Sequence, residues 1–119
     1  MQRIMQPINS SELTRELKQT ASTFLKKEVS TISGFSKTEL RTIVQQTILV
    51  SLSINSGEIS EVNRAFYLTR IALFVQHFVG ALAGLLVADV EQLWNALIQV
   101  LWKALSKATG LPLEKFQTY

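Results

Sequence analysis

The chain has 119 residues, of which 47% are hydrophobic and only 18% are charged, and its formal net charge is +3. This length suits one domain with a substantial core. The charged fraction is low against about 25% in an average globular chain, which indicates an unusually large core or an apolar surface that a partner covers. Because cysteine is absent, disulfides, thiolate zinc sites and thiol catalysis are excluded. No signal peptide is visible at the N-terminus, and we expect a cytoplasmic protein.

The first predicted helix follows a short flexible N-terminus of about residues 1–9. Asn9 or Ser10 can cap it, and Glu12 stands where it could complete a capping box with Asn9. A stripe of apolar residues with helical period follows. It comprises Leu13, Leu17, Ala21, Phe24, Leu25 and Val29. We expect this helix to end near Ser33-Gly34.

The second predicted helix has the strongest start signal in the chain. Ser36 and Glu39 form the S-x-x-E pattern of a capping box. The following run TILVSLSI, residues 47–54, is rich in β-branched residues and resembles a strand. Its position after a cap and before Asn55-Ser56-Gly57 favours the end of a helix.

The third predicted helix is long and strongly apolar. Ser60 can cap it, and it is expected to run from about Glu61 to Val87. From Ile71 to Ala88 the sequence carries no charge except what His77 acquires, a pattern typical of a central helix that is buried on every side. On a continuous helix Gln76, Gly80, Gly84 and Ala88 would share one face, a small-residue groove that admits a close neighbour.

The fourth predicted helix begins with Asp89 as its cap and ends at Gly110-Leu111-Pro112. A narrow polar strip runs along it, comprising Gln92, Asn95, Gln99, Lys103 and Ser106. The remaining arc is apolar and too wide for one bundle seam, so the row Trp94, Ile98 and Trp102 is predicted to face another chain in part. Residues of about 111–119 form a short tail, in which LEKF could add one more turn. The chain is therefore predicted to be an all-α, single-domain bundle of about four helices over residues 1–119, the third and fourth long and strongly apolar.

Enzymatic and metal sites find little support in the sequence. The only histidine, His77, lies in the most apolar segment, and the only aspartate, Asp89, is best explained as a helix cap. A hydrolytic triad needs a base held beside its nucleophile, and a di-metal bundle site needs carboxylates combined with Glu-x-x-His motifs. Neither arrangement is present, so we predict a non-enzymatic protein with no catalytic, cofactor-binding or metal-binding residues. His77 is expected to be a buried neutral histidine, with a pH switch as the alternative.

Basic residues on the first two helices raise the question of nucleic-acid binding. Arg15, Lys18, Lys26 and Lys27 form a basic flank that acidic residues interrupt. A helix-turn-helix interpretation would place Gly34 in the turn, with Lys37, Thr38 and Arg41 at the start of a recognition helix. No aromatic residue stands among these charges to stack on bases, so we expect no specific nucleic-acid ligand.

Function is therefore predicted to depend on protein–protein association. We expect a homo-oligomer, specifically a two-fold dimer, built on the third and fourth helices. The predicted interface residues are Gln76, His77, Gly80, Gly84, Trp94, Ile98 and Trp102. A competing hypothesis is a membrane-associated or membrane-inserting helical hairpin, since residues 71–88 approach the roughly 17 to 25 residues that a spanning helix needs. The sequence also leaves open association with a different protein, and a nucleic-acid-binding module that resembles a helix-turn-helix.

Overall fold

Four α-helices and one short 3-10 turn make up the regular structure of residues 7–113, the part of the chain that this computed structural model describes. The helices are α1 (Ser10–Leu25), α2 (Lys37–Asn55), α3 (Glu61–Gly80) and α4 (Val87–Thr109), and the 3-10 turn is Val29–Thr31. Residues 7–113 contain no strand. The prediction of an all-α bundle of about four helices is confirmed. The predicted flexible N-terminus lies mostly outside the described residues, as does all but the first residue of the LEKF turn.

The helices alternate in direction. The α1–α2 connection and the α3–α4 connection lie at the same end of the bundle. They are in contact there, since the amide of Ala83 donates to the carbonyl of Ser33 at 2.8 Å. At the other end the C-termini of α2 and α4 meet, where Asn55 Nδ2 donates to the carbonyl of Ala108 at 3.0 Å. Helices α2 and α4 pack against each other, and each also packs against α1 and α3. The fold is thus an up-down-up-down bundle in which α2 and α4 form the short diagonal.

Helix α1 begins as predicted but ends earlier. Asn9 Oδ1 accepts from the amide of Glu12 at 3.0 Å, which confirms Asn9 as the cap. The helix stops at Leu25 because Lys26 adopts the left-handed conformation, with φ 59°. The hydroxyl of Ser22 then accepts from the amide of Val29 at 3.0 Å, and Val29 becomes fully buried within the 3-10 turn. The predicted extension to Ser33-Gly34 is wrong because this turn buries Val29 in place of a continuing helix.

Helix α2 confirms Ser36 as its cap and the helical assignment of residues 47–54, but only the Ser36 half of the predicted capping box forms. Ser36 Oγ accepts from the amide of Glu39 at 3.1 Å, and the helix runs through the β-branched segment to Asn55. The hydroxyl of Thr47, which is fully buried, bonds back to the carbonyl of Ile43 at 2.8 Å. This bond satisfies the only polar group of the Thr47 side chain inside the core, so a threonine here is compatible with a helix.

The boundary between α3 and α4 differs from the prediction. Ser60 occupies the predicted N-cap position of α3, but its side chain makes no capping hydrogen bond. The helix ends at Gly80 and not near Val87, and α4 already begins at Val87. Asp89 therefore lies in the first turn of α4, where a carboxylate still interacts favourably with the helix dipole, and the cap position belongs to Leu86.

The end of α4 matches the sequence. Gly110 adopts a left-handed φ of 75°, and its amide donates to the carbonyl of Ser106 at 2.8 Å. The hydroxyl of Ser106 in turn accepts from the amide of Leu113 at 3.0 Å. The first bond gives a carbonyl of the last helical turn a hydrogen-bond donor, and the second holds the segment after the helix against Ser106.

The central helix of the core is α4. Its fully or almost fully buried side chains are Leu93, Leu97, Leu101, Trp102 and Leu105. They form one cluster with the buried faces of the other three helices. The sequence-based assignment of α3 as the central helix is wrong, because α3 packs only on α2 and α4 and leaves one face outward.

Gly34 and its neighbours join the two interhelical connections. Gly34 has a φ of +93°, and a Cβ placed on it would lie 1.8 Å from the carbonyl oxygen of Ala81. The next residue, Phe35, packs edge-to-face on Phe78 of α3, with ring centroids 5.8 Å apart. Only glycine permits this close approach of two backbones.

Candidate interaction surface

The predicted small-residue groove does not form. Gly80 is the last residue of α3, whereas Gly84 lies in the α3–α4 connection with φ +82°. A Cβ at either glycine would meet no atom within 4 Å, so nothing packs closely there within the chain. The helix breaks because glycine is a poor helix former and the amide of Ala83 bonds to Ser33 of the neighbouring connection.

His77 is exposed, contrary to the expectation of a buried neutral histidine. Its side chain is 75% exposed, and its Nδ1 lies 3.1 Å from Oε1 of Glu39 on α2. The carboxylate of Glu39 contacts His77 instead of completing the predicted capping box, in which it would accept from the amide of Ser36. His77 is therefore a surface residue at the α2–α3 junction, with a carboxylate available to pair with its charged form.

The aromatic row on α4 faces the interior of the chain. Trp102 has no exposed surface, and Ile98 is also buried. Trp94 is half-buried, and its Nε1 donates to the carbonyl of Ala72 on α3 at 2.9 Å. In the folded monomer Ile98 and Trp102 offer no surface to another chain. The apolar arc of α4 is wide because three helices pack around it.

A different apolar surface lies on α3. Its members recur every three or four residues and occupy one outward face, called here the outer stripe: Val62, Phe66, Thr69, Leu73, Gln76 and Gly80. The exposed fractions are 89% for Val62, 62% for Phe66 and 55% for Leu73. Two predicted interface residues, Gln76 and Gly80, belong to the stripe, and His77 lies at its edge. None of the six stripe residues is charged.

The surroundings of Phe66 leave its ring largely uncovered. It contacts Tyr67 edge-on at 5.3 Å between centroids, and the Arg70 guanidinium lies 5.9 Å from its ring centre. On the neighbouring α2, Leu49 and Leu52 are also more than half exposed. Of the seven large hydrophobic residues exposed within residues 7–113, five therefore lie on α2 and α3, and the other two are Leu86 and Val87 at the start of α4.

The apolar residues of the outer stripe are visible in the sequence, where they indicate a helix that is buried on every side. Apolar residues of α3 occupy two opposite faces: Leu68, Ile71 and Val75 point inward, whereas Val62, Phe66 and Leu73 point outward. A helix that is apolar all round is normally buried, and periodicity alone cannot say which face lacks a neighbour. That information depends on which helices pack together.

Other kinds of site receive no support. Across residues 7–113 no three histidine or acidic side chains are grouped as a metal site would require. No helix in this range has the length and apolar character needed to cross a bilayer. The α1–α2 connection spans residues 26–36, far longer than the three- to four-residue turn of a helix-turn-helix motif.

Comparisons with known proteins add no assignment, since no family model, curated protein or solved structure matches this chain.

Proposed function

We propose that this protein acts by association and forms a two-fold homodimer through the outer stripe of α3. The observation that carries the proposal is the row of three exposed apolar side chains on that stripe, Val62, Phe66 and Leu73. Contiguous apolar surface of this kind is rare on monomeric proteins and marks interaction sites. The proposed interface thus moves from the predicted α3–α4 pair to the outer face of α3.

The residue order of the stripe favours a second copy as the occupant. Two α3 helices that pair antiparallel about a two-fold axis level with Tyr67 and Leu68 set Val62 opposite the partner's Leu73. The same axis sets Phe66 opposite the partner's Thr69, so a large ring meets a small side chain. A two-fold interface must be self-complementary in this way, because one patch contacts itself. No like charges meet along the stripe, since it carries none.

A stable dimer sets a requirement for the area of the interface. On the proposed axis the stripes pair from Val62 to Leu73, eleven positions apart, which corresponds to about 17 Å of helix. A standard interface buries about 800 Å² from each partner. That is roughly a tenth of the 7488 Å² that the folded chain exposes, and it is the area that a stable dimer should cover along and around the paired stripes.

Two further parts of the proposal remain predictions from the sequence. The protein is proposed to be non-enzymatic, with no cofactor, and to work in the cytoplasm. Association through an apolar stripe requires no catalytic group and no cofactor, so the proposed dimer is compatible with a non-enzymatic protein.

The experiment is a mass measurement by size-exclusion chromatography with light scattering at micromolar concentration. We expect about 27 kDa, twice the 13.4 kDa of one chain. The double variant Phe66→Glu/Leu73→Glu should be monomeric, because it would bury carboxylates without a charge partner in an apolar interface.

The matched control is Gln92→Glu/Gln99→Glu, which makes the same charge change on the exposed strip of α4. It should keep the dimer mass. Circular dichroism should show that both variants stay folded, since all four positions are exposed. A monomeric wild-type protein, or a dimer that Phe66→Glu/Leu73→Glu leaves intact, would disprove the proposal.

A further inference from the structure

A long groove separates α1 from the first half of α2. The α1 wall extends from Ser10 to Thr23, about 20 Å at 1.5 Å per residue. The cavity volume is about 1190 Å³. This exceeds the roughly 300 to 1,000 Å³ of sites for small ligands, so the groove suits an elongated ligand.

The groove collects five of the twelve lysine and arginine residues of the protein. Its basic residues are Arg15 and Lys18 on α1, Lys27 after α1, and Lys37 and Arg41 on α2. Glu28 is the only acidic residue that lines it, so the lining has a net charge of +4. The whole chain has +3, so the remaining residues together carry −1.

Within residues 7–113 no acidic side chain lies within salt-bridge distance of these five basic side chains. The ion pair between His77 and Glu39 is the only one within residues 7–113, and it lies on the opposite side of α2 from the groove. Four of the five are exposed, and Lys18 is half-buried. Unpaired charges of one sign on both walls of a cleft concentrate the electrostatic potential and attract an anionic ligand.

The base and walls of the groove add other chemistry. The apolar base of the groove is the half-buried Phe35, below which Leu40 and Val44 belong to the core and are 3% and 2% exposed. Hydroxyl and amide side chains line the walls between the charges, among them Thr14, Gln19, Ser22 and Gln45. The groove therefore combines an apolar base, neutral hydrogen-bonding groups and a basic rim.

We propose that this groove binds an acidic, amphipathic peptide segment of another protein. Apolar side chains of the segment pack at the base against Phe35, and its carboxylates pair with the basic rim. A helix of about 13 residues or an extended strand of about six spans the 20 Å of the α1 wall. This site is separate from the outer stripe of α3 and does not depend on the proposed dimer.

The groove is less suited to nucleic acid. Single strands bind through a basic track combined with open aromatic faces on which bases stack. The only aromatic side chain in the lining is Phe35, and its ring is already in edge-to-face contact with Phe78. An apolar base without a stacking surface favours aliphatic side chains over bases.

The test is fluorescence anisotropy at physiological salt with labelled 13-residue peptides, the length that matches the wall at about 1.5 Å per residue. The first peptide combines glutamate on one helical face with leucine on the other. In the second, serine replaces leucine, and in the third, lysine replaces glutamate. A single-stranded DNA and a DNA duplex of similar length complete the set.

We expect the glutamate–leucine peptide to bind about tenfold tighter than every other probe, because only it offers both kinds of contact. Lys18→Glu/Arg41→Glu should weaken it by about tenfold or more, since repulsive charges replace attractive ones. The matched control Lys103→Glu/Lys107→Glu makes the same charge change on exposed positions of α4 outside the groove and should retain affinity. Amide shifts on titration should concentrate on α1 and residues 35–45.

Three results would overturn the proposal: equal loss of affinity in the groove and control variants, tighter binding of DNA, or no binding of the glutamate–leucine peptide. The peptide titration is repeated on Phe66→Glu/Leu73→Glu. Retained binding there, with a monomeric mass, keeps the groove site independent of the dimer, whereas loss of binding in that variant alone would place the peptide on the outer stripe and contradict the groove.

Discussion

Replacing Gly34 with alanine should be among the most damaging single-methyl changes in this protein. The added Cβ would lie 1.8 Å from the oxygen and 2.8 Å from the carbon of the Ala81 carbonyl. Both are backbone atoms, so no side chain can rotate away. The overlap can be relieved only if the α1–α2 connection moves away from the α3–α4 connection, which breaks the Ser33–Ala83 hydrogen bond.

Two contributions set the size of the effect. A positive φ costs a non-glycine residue about 1 to 2 kcal/mol. Forcing a methyl group into occupied space costs about 1 to 3 kcal/mol more. We therefore expect Gly34→Ala to lower the free energy of unfolding by about 2 to 5 kcal/mol. A chain of 119 residues has about 6 to 18 kcal/mol in total, so the loss should be large.

Two other glycines separate these contributions. Gly57 has φ +84° but no atom within 4 Å of a Cβ, so Gly57→Ala should cost only the backbone term of about 1 to 2 kcal/mol. Gly80 lies in α3 with the same open space and no positive φ. Gly80→Ala should therefore be neutral or stabilise the protein by up to about 1 kcal/mol.

The assay is urea unfolding followed by circular dichroism, with the midpoint and slope fitted for each variant. The expected order of stability is Gly80→Ala, wild type, Gly57→Ala and then Gly34→Ala. If Gly34→Ala and Gly57→Ala were equally stable, the close approach of Gly34 to Ala81 would be refuted.

Two other predictions concern the core and His77. Trp102→Ala should lower the free energy of unfolding by about 3 to 5 kcal/mol in the same urea assay, because Trp102 is fully buried. It should leave the oligomer mass of the folded protein unchanged. Loss of the dimer without loss of stability would contradict this prediction. At pH about 5 the bundle should stay folded and release no dye from liposomes, because His77 is exposed and a charged imidazole there would face the carboxylate of Glu39. Acid-induced release that His77→Phe abolishes would show that this residue opens the bundle.

Local signals in the sequence predicted the caps of α1 and α2, whereas Asp89 does not occupy the cap position of α4. Asn9 and Ser36 cap the helices for which they were assigned, and Gly110 ends α4. These signals are reliable because capping involves residues three or four positions apart, so the chemistry is contained in a short stretch of sequence.

The errors concern contacts between distant segments. The predicted extension of α3 to Val87 is wrong because Ala83 bonds to Ser33, and no pattern within residues 71–88 indicates that contact. The predictions that His77 is buried and that Trp102 faces another chain in part also differ from the structure. They too depend on which helices pack against α3 and α4. Apolar periodicity gives the width of a hydrophobic face, and only the packing order decides whether neighbouring helices or solvent meet it.

The two candidate surfaces also depend on how the helices pack, which the sequence does not show. The basic residues Arg15 and Lys18 were recognised on α1, and Lys37 and Arg41 on α2, but as two separate groups. Their union in one groove depends on how α1 and α2 pack. The outer stripe of α3 was visible as surplus apolar residues, although its outward direction was not.

The contact between the two connections also bears on how the bundle folds. It joins residues fifty positions apart, and the amide of Ala83 is protected by it only when the α1–α2 and α3–α4 hairpins have docked. Hydrogen exchange at that amide therefore reports docking of the hairpins, whereas amides within each helix report helix opening. Because such a long loop must close before the bond forms, docking belongs to the late part of folding, and a chain interrupted there would expose the apolar faces of two unpaired hairpins.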